Sequence, residues 1–68
     1  MQEKVYKRIR LVGCSSESIE RAVALAIAKA AGTVPAISWF EVVEIRGAVA
    51  EGTPAEWQVT VELGCKVE

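Results

Sequence analysis

Apolar and polar residues alternate through "KVYKRIRLV", residues 4–12. Val5, Ile9 and Leu11 share one face, with Lys7 as the exception among them, and Lys4, Tyr6, Arg8 and Arg10 share the other. A period of two predicts a half-buried strand. Gly13 and the polar "CSSES" end it. Ser15 or Ser16 is placed to accept a hydrogen bond from a free amide and so cap a helix. Glu17 and Glu20 follow in the expected first turn, where negative charge suits the helix dipole. The period then lengthens: Ile19, Ala22, Val23, Ala26, Ile27 and Ala30 recur at steps of three and four, which predicts an amphipathic helix over residues 16–31. Its stripe is small enough to lie close to a sheet. Ala24, Leu25 and Ala28 fall off the stripe and suggest a further contact, with another subunit. Gly32 suits the left-handed position after a helix, and Pro35 prevents the helix continuing.

Two more strands are expected. The first covers residues 37–47, "ISWFEVVEIRG", and "AVAEGTP" supplies the reversal, with Gly52 and Pro54 as turn residues. The last, "AEWQVTVELGCKVE", alternates throughout. Trp57, Val59, Val61, Leu63, Cys65 and Val67 face one way, towards the helix, while Glu56, Gln58, Thr60, Glu62 and Lys66 face the other. The order is β-α-β-β, an α+β chain. The regular alternation of the last strand suits the central place in a three-stranded antiparallel sheet packed around one helix. The second strand then becomes a long edge with unpaired backbone groups, which natural proteins cover or pair.

Composition sharpens that last point. The chain has 68 residues, 51% of them apolar, and forms one domain over residues 1–68. So short a chain hides only about 60% of the surface its unfolded form exposes, and such domains are stabilised by disulfides, metal or oligomerisation. The two cysteines, Cys14 and Cys65, follow a charged N-terminus, "MQEKVYKRIR", with no apolar run of a secretory leader behind it. A cytoplasmic protein with free thiols is expected. There is no histidine, and two cysteines do not fill a structural zinc site. Oligomerisation is left. No segment approaches the ~20 apolar residues of a membrane span. A net charge of −1 argues against a nucleic-acid partner despite the cluster Lys4, Lys7, Arg8 and Arg10.

Catalytic chemistry is poorly represented. Without histidine there is no Cys-His or Ser-His nucleophile pair. Glu41 and Glu44, three apart in a strand, are expected on opposite faces and so do not form an acid–base pair. No Gly-rich phosphate loop of standard spacing occurs. What remains is binding. Trp39, Gln58, Arg46 and Lys66 are groups that a planar, heteroaromatic, phosphate-bearing ligand would use. An indole offers a stacking face, Gln a donor beside an acceptor, and Arg two parallel hydrogen bonds to phosphate.

With "VYKRIRLVGCSSESIERAV", "SWFEVVEIRG" and "EWQVTVELGCKVE" in this order, the chain resembles the bacterial dodecins over nearly its whole length. The resemblance implies a homododecamer that stores and buffers flavin without being an enzyme. By position, Trp39 matches the tryptophan that stacks on the isoalloxazine ring, two such residues from symmetry-related subunits enclosing two flavins. Gln58 matches the glutamine on the ring's polar edge. Arg46 matches a basic position that meets the phosphate side, and Glu44 is placed with the same flavin-binding set. Lys66 stands where many members have Arg, which keeps the charge and loses the planar fork. The implied ligand is FMN, riboflavin or lumichrome. The alternatives are coenzyme A or another nucleotide held by Arg46 and Lys66, or a flavin-dependent redox enzyme. Regularly spaced, Trp39 and Arg46 would face opposite ways, so either a bulge intervenes or Arg46 serves a neighbouring subunit.

Overall fold

The computed structural model describes residues 3–68. Strand β1 spans Val5–Ser15, helix α1 Ile19–Ala31, strand β2 Ile37–Ala50 and strand β3 Thr53–Val67. The sheet is antiparallel in the order β1-β3-β2, so the most regularly alternating strand is the central one, as expected. The α+β reading and the β-α-β-β order hold. The part of the N-terminal reading that concerns residues 1 and 2 lies outside the described residues.

Helix α1 packs on β1 and β3. Ala22, Ala26 and Ala30 are buried against Val59, Val61, Leu63 and Cys65, flanked by half-buried Ile9, Leu11, Ile19, Val23, Val34, Ile27 and Ile37. The helix can come this close because β1 carries Gly13 at the contact: a Cβ there would run into the Ala22 carbonyl. Three valine- or leucine-sized side chains of β3, fully buried, are the largest contributors to the core, each contributing roughly 1.5–3 kcal/mol by leaving water.

Several local details differ from the sequence reading. The helix starts at Ile19, not near residue 16, and its cap is Ser18, whose Oγ accepts from the Arg21 amide at 3.0 Å. Ser15 is still in β1, and its Oγ accepts the Glu17 amide, which guides the chain out of the strand. Glu17 therefore precedes the helix, and only Glu20 lies in the first turn. Gly32 is not left-handed. Its φ is −69° and its amide donates to the Lys29 carbonyl, while Thr33 and Val34 both donate to the Ala30 carbonyl. The carbonyls at the helix end are thus satisfied by a tightened last turn, which needs no glycine. Left-handed backbone occurs instead at Ala36, Glu51 and Gly52. Glu51 and Gly52 form a two-residue hairpin turn with positive φ at both positions, the arrangement that matches strand twist. Pro54 belongs to β3 itself, opposite Val49, rather than to the turn.

The β2–β3 hairpin runs past the end of the helix and makes the chain long, 53 × 20 × 14 Å. Its radius of gyration of 14.1 Å exceeds the roughly 11 Å of a compact chain of this length. The helix does not cover the neighbouring face of β2. Phe40, Val42 and Ile45 face that side by register and are 50%, 40% and 51% exposed. With Ile19, Val23, Ala24 and Ile27, Phe40 and Val42 line an open apolar groove of about 420 Å³ between helix and strand. Leu25, Ala24 and Ala28 are exposed, as their place off the helical stripe implies.

Candidate functional site

The face of the sheet away from the helix carries the polar and aromatic groups. On β3 these are Gln58, Thr60, Glu62, Gly64 and Lys66; on β1, facing them, are Tyr6 opposite Lys66, Arg8 opposite Gly64, Arg10 opposite Glu62, and Cys14 opposite Gln58. On β2 the register slips at Val43, between Val42 opposite Val61 and Glu44 opposite Thr60. This bulge inserts one residue and re-phases the strand. Trp39, Glu41, Glu44 and Arg46 consequently all stand on the face away from the helix, opposite Gly64, Glu62, Thr60 and Gln58. The expectation that Glu41 and Glu44 point to opposite faces is therefore wrong, and the opposed phases of Trp39 and Arg46 are resolved by the bulge. Alternation would have revealed it: "FEVVEIR" is a regular apolar–polar series with one extra apolar residue.

The indole of Trp39 lies flat across β3. A Cβ on Gly64 would occupy the space of Trp39 Cε2, Cζ2 and Cδ2, so a glycine in the middle of the central strand is what lets the ring rest on the backbone. Two neighbours on β1 pack against it, Arg8 over the ring and Tyr6 tilted to it. The Arg8 guanidinium carbon is 5.2 Å from the indole centroid, within cation–π range. The Tyr6 ring is 5.9 Å away, tilted by 58°. Arg8 is itself held by Glu41 at 2.6 Å and Glu62 at 2.9 Å, and Glu62 also accepts from Arg10 at 2.8 Å. Neither Gly64 nor Arg8 was singled out by residue type; the glycine interrupting an alternating strand was the available signal.

Glu62 is 8% exposed yet charged, because it sits between two guanidiniums. Hydrogen bonds from Arg10 and then Arg8 hold its carboxyl below the ordinary carboxylate range, and the same contacts raise both guanidiniums. The folded chain therefore holds the Glu62 proton more weakly than the unfolded chain does. The stabilisation is complete above the unfolded carboxylate's titration range and is lost as pH falls through the lower folded value. Denaturant titrations between about pH 3 and about pH 7 should show stability falling on acidification, and Glu62→Gln should flatten that acid limb. An unchanged acid limb in the variant would show that Glu62 does not carry it.

At the other end of the face, Arg46 Nε donates to Gln58 Oε1 at 3.0 Å, and Gln58 Nε2 donates to Glu56 Oε1 at 2.8 Å. Glu44 is on β2 one pair nearer Trp39. The candidate residues thus fall into two groups. Trp39 and Lys66 occupy one end with Tyr6 and Arg8; Gln58, Arg46 and Glu44 occupy the other. Gly64 and Gln58 are six residues apart in one strand, about 20 Å, and Glu56 holds the Gln58 amide on the side away from Trp39. A flat ligand resting on Trp39 does not reach Gln58 of the same chain. Lys66 also borders a second groove of about 390 Å³ with Lys7, Thr33, Pro35 and Val67.

Cys14 is exposed and Cys65 buried, and both are free. Trp57 belongs to the helix-facing row by register, opposite Ser15 and Gly47, but it is half-buried and lies outside the core cluster rather than within it. No helix of the described residues is long and apolar enough to cross a membrane.

Comparison with known proteins bears on the family and the fold. The Dodecin family model matches residues 5–68. Dodecin from Thermus thermophilus is 46% identical over 65 residues, covering 96% of this chain and 94% of that protein. The crystal structure of the tt0972 protein from Thermus thermophilus superposes with a TM-score of 0.91 at 45% identity, covering 97% of each chain. The structure of dodecin from Streptomyces coelicolor gives 0.93 at 35% identity, covering 100% of this chain and 97% of that one. Sequence, topology and three-dimensional superposition agree, and the chain belongs to the dodecin family of small binding proteins.

Proposed function

We propose that this protein is a non-enzymatic, cytoplasmic flavin-binding protein that stores and buffers FMN, riboflavin or lumichrome, stacking the ring on Trp39 between subunits of a homododecamer. The observation that carries the reading is the seat of Trp39: an indole laid flat over Gly64 with Arg8 and Tyr6 packed against it and no large side chain beneath it. A rigid, pre-positioned aromatic plane costs little ordering when a second plane is laid on it. The separation of Trp39 from Gln58 supports assembly. The stacking surface of one subunit and the polar groups Gln58, Arg46 and Glu44 of another together supply what either alone lacks. The bare apolar side of β2 and the groove beside it supply the contact surface such an assembly needs.

An indole stacked on a flavin donates an electron to the excited ring faster than the ring emits, so bound flavin is dark and protected. Stacking contributes about 1–3 kcal/mol for each flat contact, and the Gln58 hydrogen bonds about 0.5–1.5 kcal/mol each, which is sufficient for micromolar affinity. Titration of riboflavin and FMN fluorescence with the apo-protein should give saturable quenching, and light scattering should give a large closed oligomer. A stable monomer at micromolar concentration, or riboflavin left fully fluorescent by excess protein, would refute this reading. In the second outcome, a coenzyme A or other nucleotide ligand, held by Arg46 and by Lys66 in its groove beside Lys7, becomes the better one. Turnover of a reduced nicotinamide above that of free flavin would favour a redox enzyme.

A further inference from the structure

Two side chains cross above Gly64. Trp39 and Arg8 both stand opposite this glycine, one on β2 and the other on β1. The indole runs inwards against the Gly64 backbone. Arg8 runs the other way, over β3, until its Nη2 donates to Glu41 on β2 at 2.6 Å, while its Nε donates to Glu62 at 2.9 Å. Its guanidinium carbon lies over the indole, 5.2 Å from the ring centroid. The sheet therefore takes one face of the ring and Arg8 covers part of the other, which leaves Trp39 half-buried. A second flat ring does not fit between them: two successive stacking distances need roughly 7 Å. The two ends of Arg8 are held unequally. Glu62 is buried and also accepts from Arg10, whereas the Glu41 side chain is 58% exposed. An exposed ion pair contributes little and opens readily, so the Glu41 end releases first.

We propose that Arg8 is a latch over the stacking face of Trp39, anchored at Glu62 and released at Glu41, which a flat ligand lifts in order to stack. This rests on the flavin reading above and adds to it a residue that competes with the ligand for the indole. A ligand gains the ring only where its own stacking exceeds what the guanidinium gives up, which favours extended fused rings over single ones. The observed affinity is the affinity of the open ring reduced by the fraction of chains in which the latch is open.

The test uses riboflavin, which carries no phosphate, so that long-range attraction to Arg8 does not enter. Stopped-flow fluorescence quenching compares the native assembly with Arg8→Ala and Glu41→Ala. Arg8→Ala should associate faster by about threefold, the size of an exposed cation–π contact, with the dissociation rate little changed. Glu41→Ala should give a smaller gain in the same direction, and decides the matter if Arg8→Ala does not assemble. A guanidinium that merely supports the indole predicts the opposite, weaker binding through faster dissociation; that result, or unchanged association in both variants, would overturn the inference. A second measurement needs no ligand. With Trp57→Phe as background, acrylamide should quench Trp39 emission more strongly once Arg8 is replaced by alanine, and equal quenching would overturn the latch. A native assembly that leaves riboflavin fluorescent would refute the flavin reading, and the acrylamide result would still decide whether Arg8 covers the ring.

Discussion

Gly64→Ala is expected to abolish or severely weaken riboflavin quenching while the chain stays folded. The new Cβ would occupy the volume of the Trp39 six-membered ring. What it meets is a side chain and not backbone, so the indole can turn out by a change of rotamer while strand β3 keeps its pairing. The ring then loses its seat and its contacts with Arg8 and Tyr6, and its plane is no longer held for stacking. Affinity should fall at least about tenfold, or ~1.4 kcal/mol. Intrinsic tryptophan emission should shift to the red as the indole enters water, with the far-ultraviolet circular dichroism unchanged. Native-like riboflavin affinity in this variant would show that the flat seat of Trp39 is irrelevant to the ligand.

The second large effect separates the two tryptophans. Trp39→Ala should weaken flavin binding at least about tenfold, in line with ~1–3 kcal/mol for an aromatic stack, and whatever flavin remains bound should regain fluorescence. The oligomer should survive, because Trp39 lies on the sheet face away from the core and from the apolar side of β2. Trp57→Phe should leave flavin binding and quenching intact. Trp57 lies on the opposite sheet face from Trp39 and is only half-buried, so shortening it costs stability modestly. Titration of both variants, with particle size measured in parallel, checks the assignment. Binding lost in Trp57→Phe and kept in Trp39→Ala would reverse it.

Much of the fold was legible because three of its elements have clean periods. Strand β1, the alanine stripe of α1 and the apolar row of β3 each bury one face, and burial is what periodicity records. Even the central place of β3 followed from its alternation. The boundaries were less legible, because Ser15, Ser16 and Ser18 are all competent caps and only the length of β1 decides among them. Gly32 was misread because glycine permits a left-handed residue without requiring one. Strand β2 was the hardest. The helix leaves its near face uncovered, so no burial pattern disciplines it, and the slip at Val43 went unplaced. The site suffered in proportion. Residue types picked out Trp39, Gln58, Arg46, Glu44 and Lys66, but not that they lie in two groups at opposite ends of one face. Arg8, Gly64 and Glu62 act through contacts some 30 to 60 positions apart, or through the absence of a side chain, and neither is visible in a local window.

Val43 has a consequence for how this chain can vary. The side chain is exposed and holds nothing in place; what matters is that a residue is there. Removing it would alter composition by one part in 68 and erase no ligand-facing group. Yet the two halves of β2 would fall out of step: if Trp39 kept its side of the sheet, Glu44 and Arg46 would turn to the other, and Gln58 would lose one of the two bonds that orient it. Substitutions at this position should therefore be nearly silent and a deletion severe. In this protein the count of residues along β2 carries information that their chemistry does not.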